Sequence, residues 1–161
     1  MARNYGRISA SIWSDDAFCA LPTHAQRMYL FLLSQPNLNH AGILPLTVRR
    51  WTRSAHGLTP ELVRRDLAML AKARFIVIDE DTEEVLIRSL VRNDGVWRQP
   101  KVMLAMKADT DEIASRSLRV ELRIEITRIL ASDQCKGDAR VTATELLDTL
   151  PDTLTDTPSD A

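Results

Sequence analysis

The sequence predicts an α+β fold built around the stretch Leu46–Val91, in which three signals follow one another. Thr47–His56 and Pro60–Ala73 are predicted helices, and a tight turn separates them. Two apolar, β-branched runs come next, Arg74–Ile78 and Val85–Val91, and the polar segment between them completes the pattern of a β-hairpin. Two helices joined by a turn and followed by a hairpin form the winged helix-turn-helix arrangement, which commonly holds one helix in the major groove of DNA.

The second of these helices has clear signals at its start. Thr59 can cap the helix, Pro60 suits the first helical position, and Glu61 puts an acid in the first turn. Apolar residues that recur at helical spacing are predicted to face the core: Val63, Leu67, Leu70 and Ala71. The same spacing places a largely basic set on the outer side: Glu61, Arg64, Arg65, Ala68 and Lys72.

The residues before this stretch are predicted to complete the domain. Residues 1–20 form an N-terminal extension, and Thr23–Gln26 is a capping box that opens a core helix running to about Ser34. Gly42–Pro45 is a short apolar segment that we expect to pair with the hairpin as a third strand. Trp51, in the first helix of the pair, is predicted to be a core residue, and stacking on a base is the alternative.

Further helices are predicted beyond the hairpin. Trp97 is expected to cover the core, with an exposed contact as the alternative, and Lys101–Ala108 is a short predicted helix. Ser117–Leu130 alternates like a strand, yet it also fits one helical face, and its uninterrupted length favours a helix capped by Ser117. The apolar band of this helix is wide for one packing partner, so we expect a second partner and predict a homodimer through this face.

The end of the chain combines a further helix with an acidic tail. Thr142–Leu150 carries another capping box and is predicted to be a short amphipathic helix, whereas Pro151–Ala161, rich in Thr and Asp, is predicted to be disordered. The predicted fold is therefore a winged helix-turn-helix with an N-terminal extension and a C-terminal helical appendage. We expect a DNA-binding domain over residues 1–100, an appendage that supports oligomerisation over residues 101–131, and an acidic tail over residues 132–161.

The charge of the chain is unevenly distributed. The net charge is −1, but residues 141–161 hold five acids and no base, so the preceding 140 residues carry 21 bases and 17 acids. Residues 47–74 hold seven bases and two acids. Positive charge concentrated on the two helices that would face DNA is the expected electrostatic footprint of a DNA-binding protein. A solvated basic face without a partner is the alternative explanation.

Ten residues are candidates for contacts with DNA. Arg64 and Arg65 lie in the half of the second helix that reaches base edges, and an arginine can bind guanine through two hydrogen bonds. Ala68 shares their outer face. Contacts to phosphates are predicted for the other basic residues of the two helices and for those in and after the hairpin: Arg49, Arg50, Arg53, Lys72, Arg88, Arg92 and Arg98.

The tip of the hairpin, Asp79–Glu84, has five acids in six residues. Carboxylates repel phosphates, whose neutralisation supplies most of the affinity in DNA binding. We therefore expect the tip to stay out of the DNA interface and to point away from DNA or toward a protein partner.

The sequence lacks the usual signs of an enzyme, a metal site or a membrane protein. The three histidines are isolated, Cys19 and Cys135 have no metal-ligand spacing and are expected to be free thiols, and no glycine-rich phosphate loop is present. We expect no catalytic activity, cofactor or metal. No run approaches the ~20 apolar residues of a membrane span, and the N-terminus has no apolar signal core, so a cytoplasmic protein is expected.

Several phrases of the sequence resemble those of known DNA-binding proteins. Ser11-Ile12-Trp13, together with Asp16 and Phe18 and the helix end Tyr29–Leu33, is similar to the start of phage replisome organisers and DnaD-like primosome proteins. Other phrases resemble the winged-helix proteins of actinobacterial phages and prophages: Arg74–Asp79, Leu90–Gly95 and Gln99–Val102. The resemblance covers about residues 5–131.

This resemblance implies double-stranded DNA binding, often at a replication origin, and often self-association. It implies a role in phage or prophage replication initiation, with another replication protein as a further partner. The segment after Lys107 is shorter than the second domain of full-length organisers, so helicase loading is not expected. Two alternatives of the same fold remain, a transcriptional regulator and a protein–protein interaction module.

Overall fold

The computed structural model describes residues 4–153 and has an α+β fold with a three-stranded antiparallel sheet. The first half of the described chain alternates helices with strands: α1 (Asp16–Cys19), α2 (Thr23–Leu33), β1 (Ile43–Pro45), α3 (Val48–Trp51), α4 (Pro60–Lys72), β2 (Ile76–Asp79) and β3 (Glu84–Ile87). The second half is helical: α5 (Leu90–Asn93), α6 (Pro100–Asp111), α7 (Arg116–Leu130) and α8 (Asp138–Thr149). Short 3₁₀ turns occur at Ala10–Ser14, Thr52–Ser54 and Val96–Arg98.

The sheet has β3 in its centre, with antiparallel β1 on one side and β2 on the other. Leu86 is paired with Ile43 of β1 and with Val77 of β2, and all three side chains point to the same face. Their neighbours along the strands point to the opposite face, because side chains alternate across a sheet. Both faces of the sheet therefore need a covering layer of helices.

The first layer covers one face with the helices of the amino-terminal half. Phe18, Met28, Leu32 and Leu70 are fully buried there against Val85 of the central strand. Trp51 is buried in the same core, as predicted, so it is not available for stacking on a base. This layer presents the outer sides of α3 and α4 to solvent.

The second layer covers the other face with α6, α7 and α8. Leu118, Leu122 and Ile126 of α7 are fully buried, and they pack in one cluster with Met103 of α6 and Leu146 of α8. Trp97 also lies in this cluster and covers the core, as predicted. The wide apolar band of α7 is thus covered within the chain, and it gives no reason to expect a second subunit.

Several predicted elements have different boundaries in the structure: the strand predicted from Arg74 begins at Ile76, and the helix predicted from Thr142 begins at Asp138. The run Val85–Val91 was expected to be one strand, but β3 ends at Ile87 and Leu90–Asn93 is a helix. The pairing ladders end at Ile76 and Ile43, and the last contact with a neighbouring strand is the bond from the amide of Arg88 to the carbonyl of Phe75. Beyond it the chain forms its own helical hydrogen bonds, such as that from the amide of Asn93 to the carbonyl of Ser89. The first predicted helix is also shorter, since α3 gives way to a 3₁₀ turn that ends at Ser54.

Two predicted capping boxes were wrong. Thr23 makes no capping bond, because Pro22 occupies the cap position and Thr23 is the first residue of the helix. Gln26 donates to the carbonyl of Phe18. Thr142 lies inside α8, where its hydroxyl donates to the carbonyl of Asp138.

Other features of the carboxyl-terminal half are closer to expectation. The helix over Ser117–Leu130 is confirmed, although Ser115 rather than Ser117 caps it. Cys19 and Cys135 are free, as expected. No helix within residues 4–153 is both long enough and apolar enough to cross a bilayer. The predicted disorder of Pro151–Ala161 concerns residues that mostly lie beyond the described part of the chain.

Candidate nucleic-acid interface

The outer face of α4 is the centre of the candidate interface. Thr59 caps the helix by accepting a hydrogen bond from the amide of Leu62, as the sequence predicted, and Val63, Leu67 and Leu70 are buried. The exposed side chains are the predicted ones: Glu61, Arg64, Arg65, Ala68 and Lys72. At about 100° per residue, Glu61 and Ala68 lie at the middle of this face, whereas the two arginines lie on opposite flanks.

Arg64 lies on the flank next to the hairpin. Its Nη1 donates to Oε1 of Glu80 over 3.1 Å, and both side chains are more than half exposed. Water screens an ion pair of this kind, so it adds little to stability. Arg64 can therefore leave Glu80 at small cost when another acceptor approaches.

Arg65 lies on the other flank, next to α2. Its Nε and Nη2 donate to Oδ1 of Asp66 over 3.0 and 2.8 Å. Asp66 is only 2% exposed and also accepts from Nδ1 of His24 over 2.7 Å. These contacts tie the outer face of α4 to the first turn of α2.

The basic residues of α3 and its following turn are exposed. Arg49, Arg50 and Arg53 form no ion pair with any residue between positions 4 and 153, and the same is true of Lys72 on α4. Arg27 fixes the end of the turn, since its Nη2 donates to the carbonyl and hydroxyl of Ser54 at 2.9 and 3.0 Å. The result is a cationic edge beside α4 whose charge is not neutralised within the described chain.

Arg88 and Arg92 both pair with acids of α7. Arg88 is 11% exposed, pairs with Glu121 and Glu125, and donates to the carbonyl of Arg74. Arg92 is 39% exposed and pairs with Glu125, which is completely buried. Because both already have acidic partners, they are weaker phosphate candidates than the basic residues of α3 and α4 that have no ion pair within residues 4–153.

Arg98 is also engaged within the chain. Its Nη2 donates to Oε1 of Gln134 over 2.6 Å, and its guanidinium lies 4.9 Å from the centre of the Trp97 ring. The contact with Gln134 joins the segment before α6 to the loop after α7, on the layer opposite α4. Arg98 is therefore a weaker phosphate candidate as well.

The acidic hairpin tip contacts the start of α7. The two carboxylate oxygens of Glu84 accept from the amides of Ala114 and Ser115 over 3.1 and 2.7 Å. Asp79 accepts hydrogen bonds from the hydroxyls of Ser115 and Ser117. The Ser115 hydroxyl is the largest cause that lowers the pKa of Asp79 below its usual value. Two of the five acids in the hairpin tip, Asp79 and Glu84, are therefore structural, because acids stabilise the positive end of a helix.

Glu61 adds a negative charge to the middle of the candidate interface. Hydrogen bonds from its own amide and from the Thr59 hydroxyl lower the pKa of this exposed carboxyl. Glu61 thus remains ionised at neutral pH. A carboxylate repels phosphate but can accept a hydrogen bond from the amino group of cytosine, so this position suits a base edge better than the backbone.

Sequence reasoning missed the contact between His24 and Asp66. A signal was present, because Asp66 falls between Val63 and Leu70 on the apolar side of α4. A buried carboxylate needs hydrogen-bond donors, and its position predicts that some exist. Their identity could not be predicted, since His24 is 42 residues away in the chain.

Comparisons with known proteins add no relative: no protein-family model, curated protein or solved structure matches the chain. Across residues 4–153, no group of three or more His, Cys, Asp and Glu residues is placed to hold a metal ion. Function is therefore inferred from the geometry and charge of this chain itself.

Proposed function

We propose that the chain binds double-stranded DNA as a winged helix-turn-helix protein, with α4 in the major groove. The order of elements supports this, since α2, β1, α3, α4, β2 and β3 follow one another as they do in that fold. The sheet order β1-β3-β2 supports it too, because the hairpin is paired with a strand from before the two helices. The proposal extends to α3 and α4 as the pair that approaches DNA.

One observation carries the proposal. Four basic side chains are exposed on α3, on the turn after it and on α4: Arg49, Arg50, Arg53 and Lys72. None of the four has an ion-pair partner within residues 4–153. Uncompensated charge on adjoining helices attracts a polyanion, and phosphate contacts supply much of the affinity for DNA. We assign these four residues to phosphates, and we assign Arg64, Arg65 and Ala68 to the groove.

The first test measures binding of the intact chain to random duplex DNA at several salt concentrations. Replacing Arg49, Arg50 and Arg53 together by glutamine should lower affinity at least tenfold at low salt. It should also reduce the slope of log affinity against log salt by about three units, about one for each lost phosphate contact. Filter binding or fluorescence anisotropy measures both quantities.

The matched control removes three positive charges elsewhere, through Lys101→Gln, Lys107→Gln and Lys136→Gln together. It removes positive charge of the same kind far along the chain and should leave the salt slope unchanged. Equal losses in the control and in the triple variant would mean that only net charge matters. Full affinity in the triple variant would contradict the proposal.

A protein-interaction module is the second candidate function. The acids on and beside α4 favour it, because Glu61 occupies the middle of the outer face and Glu80 pairs with Arg64. A protein partner could use this mixture of charges, whereas phosphate could not. Failure of the intact chain to bind duplex DNA at low salt would favour this second function.

The replication role implied by the resemblance remains a prediction, as does self-association. We propose initiation of phage or prophage replication as the biological setting of DNA binding, with transcriptional regulation as the alternative. Selection of bound sequences from random duplexes is the informative experiment, because a palindromic site would also report a symmetric dimer.

A further inference from the structure

The buried carboxylate of Asp66 is the feature of α4 that the proposed function does not explain. Its Oδ1 has three donors within 3.0 Å: Nε and Nη2 of Arg65 and Nδ1 of His24. A carboxylate can only accept, so Nδ1 of His24 carries the hydrogen in this contact. Asp66 is thereby held from the side of α2 while it holds Arg65.

The arrangement leaves a defined part of Arg65 free. A guanidinium is a flat fork with five N–H groups, and its Nε–Nη2 side is directed at Asp66. The other edge, formed by Nη1 and the second hydrogen of Nη2, has no acceptor within residues 4–153. Arg65 is 43% exposed, so this edge is open to a partner from solution.

The open edge matches one base in the major groove. Guanine presents two acceptors, O6 and N7, side by side, and a guanidinium can donate to both at once. An arginine that is already oriented loses less side-chain entropy when it binds, so more of the energy of its two hydrogen bonds to guanine is retained as affinity. The neighbouring Arg64 lacks such support, because a single bond to an exposed glutamate holds it.

We propose that Arg65 recognises a guanine in the DNA target and that Asp66, held by His24, is the residue that positions it. The inference rests on the proposed function and deepens it, since it names a base of the preferred site. Asp66 touches no base in this arrangement and acts through the guanidinium of Arg65. Its negative charge, by contrast, weakens the general attraction to DNA.

Asp66 is thus expected to raise the preference for guanine and to lower the affinity for DNA of any sequence. Because these two effects have opposite signs, a measurement of both distinguishes a positioning residue from one that only stabilises the fold. Asp66→Asn keeps the shape of the side chain and removes the charge. Affinity for random duplex DNA should then stay the same or rise, whereas preference for the guanine should fall. A residue that served only to stabilise the fold would lower both affinities together.

The experiment uses the full chain and a site selected from random duplexes. The preferred site is compared with the same site carrying 7-deazaguanine, which lacks N7, at the contacted position. The unmodified protein should prefer guanine by about tenfold, which equals about 1.4 kcal/mol. Arg65→Lys should lose most of this preference, because lysine keeps the charge but lacks the fork.

The matched control is Arg128→Lys. Arg128 also pairs with a buried acid, Glu125, but lies on α7 in the other layer, so its replacement should leave the preference for guanine at tenfold. A thermal scan accompanies each variant. If Asp66→Asn fails to fold, His24→Ala tests the positioning role in its place, because it removes the group that holds Asp66 and the His24 side chain is 38% exposed; the preference for guanine should then fall.

The outcomes separate the inference from the function on which it rests. If the unmodified chain does not bind duplex DNA, both fail. If it binds but selects sites without guanine, or if Arg65→Lys keeps the full preference, this inference is overturned and DNA binding stands. Loss of the preference in both Arg65→Lys and Asp66→Asn, with random affinity maintained or raised in Asp66→Asn, supports it. Full preference in a folded Asp66→Asn protein overturns the positioning role of Asp66.

Discussion

Single residues on the α4 face differ in how firmly they are held, and the hairpin contributes to that difference. Glu80 neutralises Arg64 through one solvent-exposed contact, whereas Asp66 is buried and holds Arg65 through two hydrogen bonds. The tip is predicted to stay clear of DNA, and within the protein one of its acids, Glu80, contacts Arg64 of the candidate interface. The effect of each acid of the hairpin tip on DNA binding must therefore be tested by a separate substitution.

Glu80→Gln should raise affinity for duplex DNA about two- to threefold. The change frees Arg64 and removes a negative charge near the phosphates, and an exposed pair of this kind is worth only roughly 0.2–1 kcal/mol. Fluorescence anisotropy at low salt measures the gain. Asp81→Asn removes the same charge but no contact with Arg64, so it should raise affinity less. A drop in affinity for Glu80→Gln would show that the tip itself contributes to binding.

At the scale of elements, the start of α7 shows how side chains from distant segments hold a helix. Ser115 caps the helix by accepting from the amide of Leu118, and its hydroxyl donates to Asp79. Glu84 accepts from two backbone amides of the same segment. Replacing Glu84 to probe DNA binding would therefore disturb the fold, so Glu80 and Asp81 are the better choices.

Ser115→Ala should destabilise the protein by about 1–2 kcal/mol at neutral pH, since it removes a helix cap and a hydrogen bond to a carboxylate. The lowered pKa of Asp79 sets the pH dependence. The ionised Asp79 carboxylate stabilises the folded state at pH values above the pKa of an unfolded aspartate, about 3.9. This stabilisation is lost as the pH falls through the lower pKa that Asp79 has in the folded protein. The stability gap between variant and wild type should narrow in acid.

Urea denaturation at pH 7 and at pH 3 measures this gap. Ser117→Ala is the matched control: Ser117 also bonds Asp79 but caps no amide, so its loss should be smaller. A gap that is constant over pH would mean that Asp79 does not contribute through Ser115.

The same elements show which features the sequence could predict. The start of α4 was predictable, because Thr59, Pro60 and the apolar spacing act within one helix. The end of β3 was not, because it depends on where its partner strands stop. The use of Arg88 was not predictable either, since its partner Glu125 comes from a distant helix.

At the scale of the whole molecule, a buried ionic cluster joins the two layers. Glu125 of α7 is fully buried and pairs with Arg88 and Arg92 from the sheet side and with Arg128 on its own helix. Removing Glu125 would take a counter-charge from Arg88, which is only 11% exposed, and the loss of a partner by a buried charge is strongly destabilising. The carboxyl-terminal helices are therefore part of the folded core, and α4 depends on them through the sheet.

The position of α7 also decides how a test of self-association should be designed. Ile126 is fully buried between α7 and its neighbours in the second layer. Ile126→Glu would place a charge in that core and should unfold the chain instead of separating a dimer, whereas Ile126→Val should cost about 0.5–1.5 kcal/mol. Circular dichroism measures whether each variant is folded and how stable it is, and sedimentation measures its oligomeric state. A folded, monomeric Ile126→Glu protein from a dimeric parent would contradict this and would place α7 at a subunit interface.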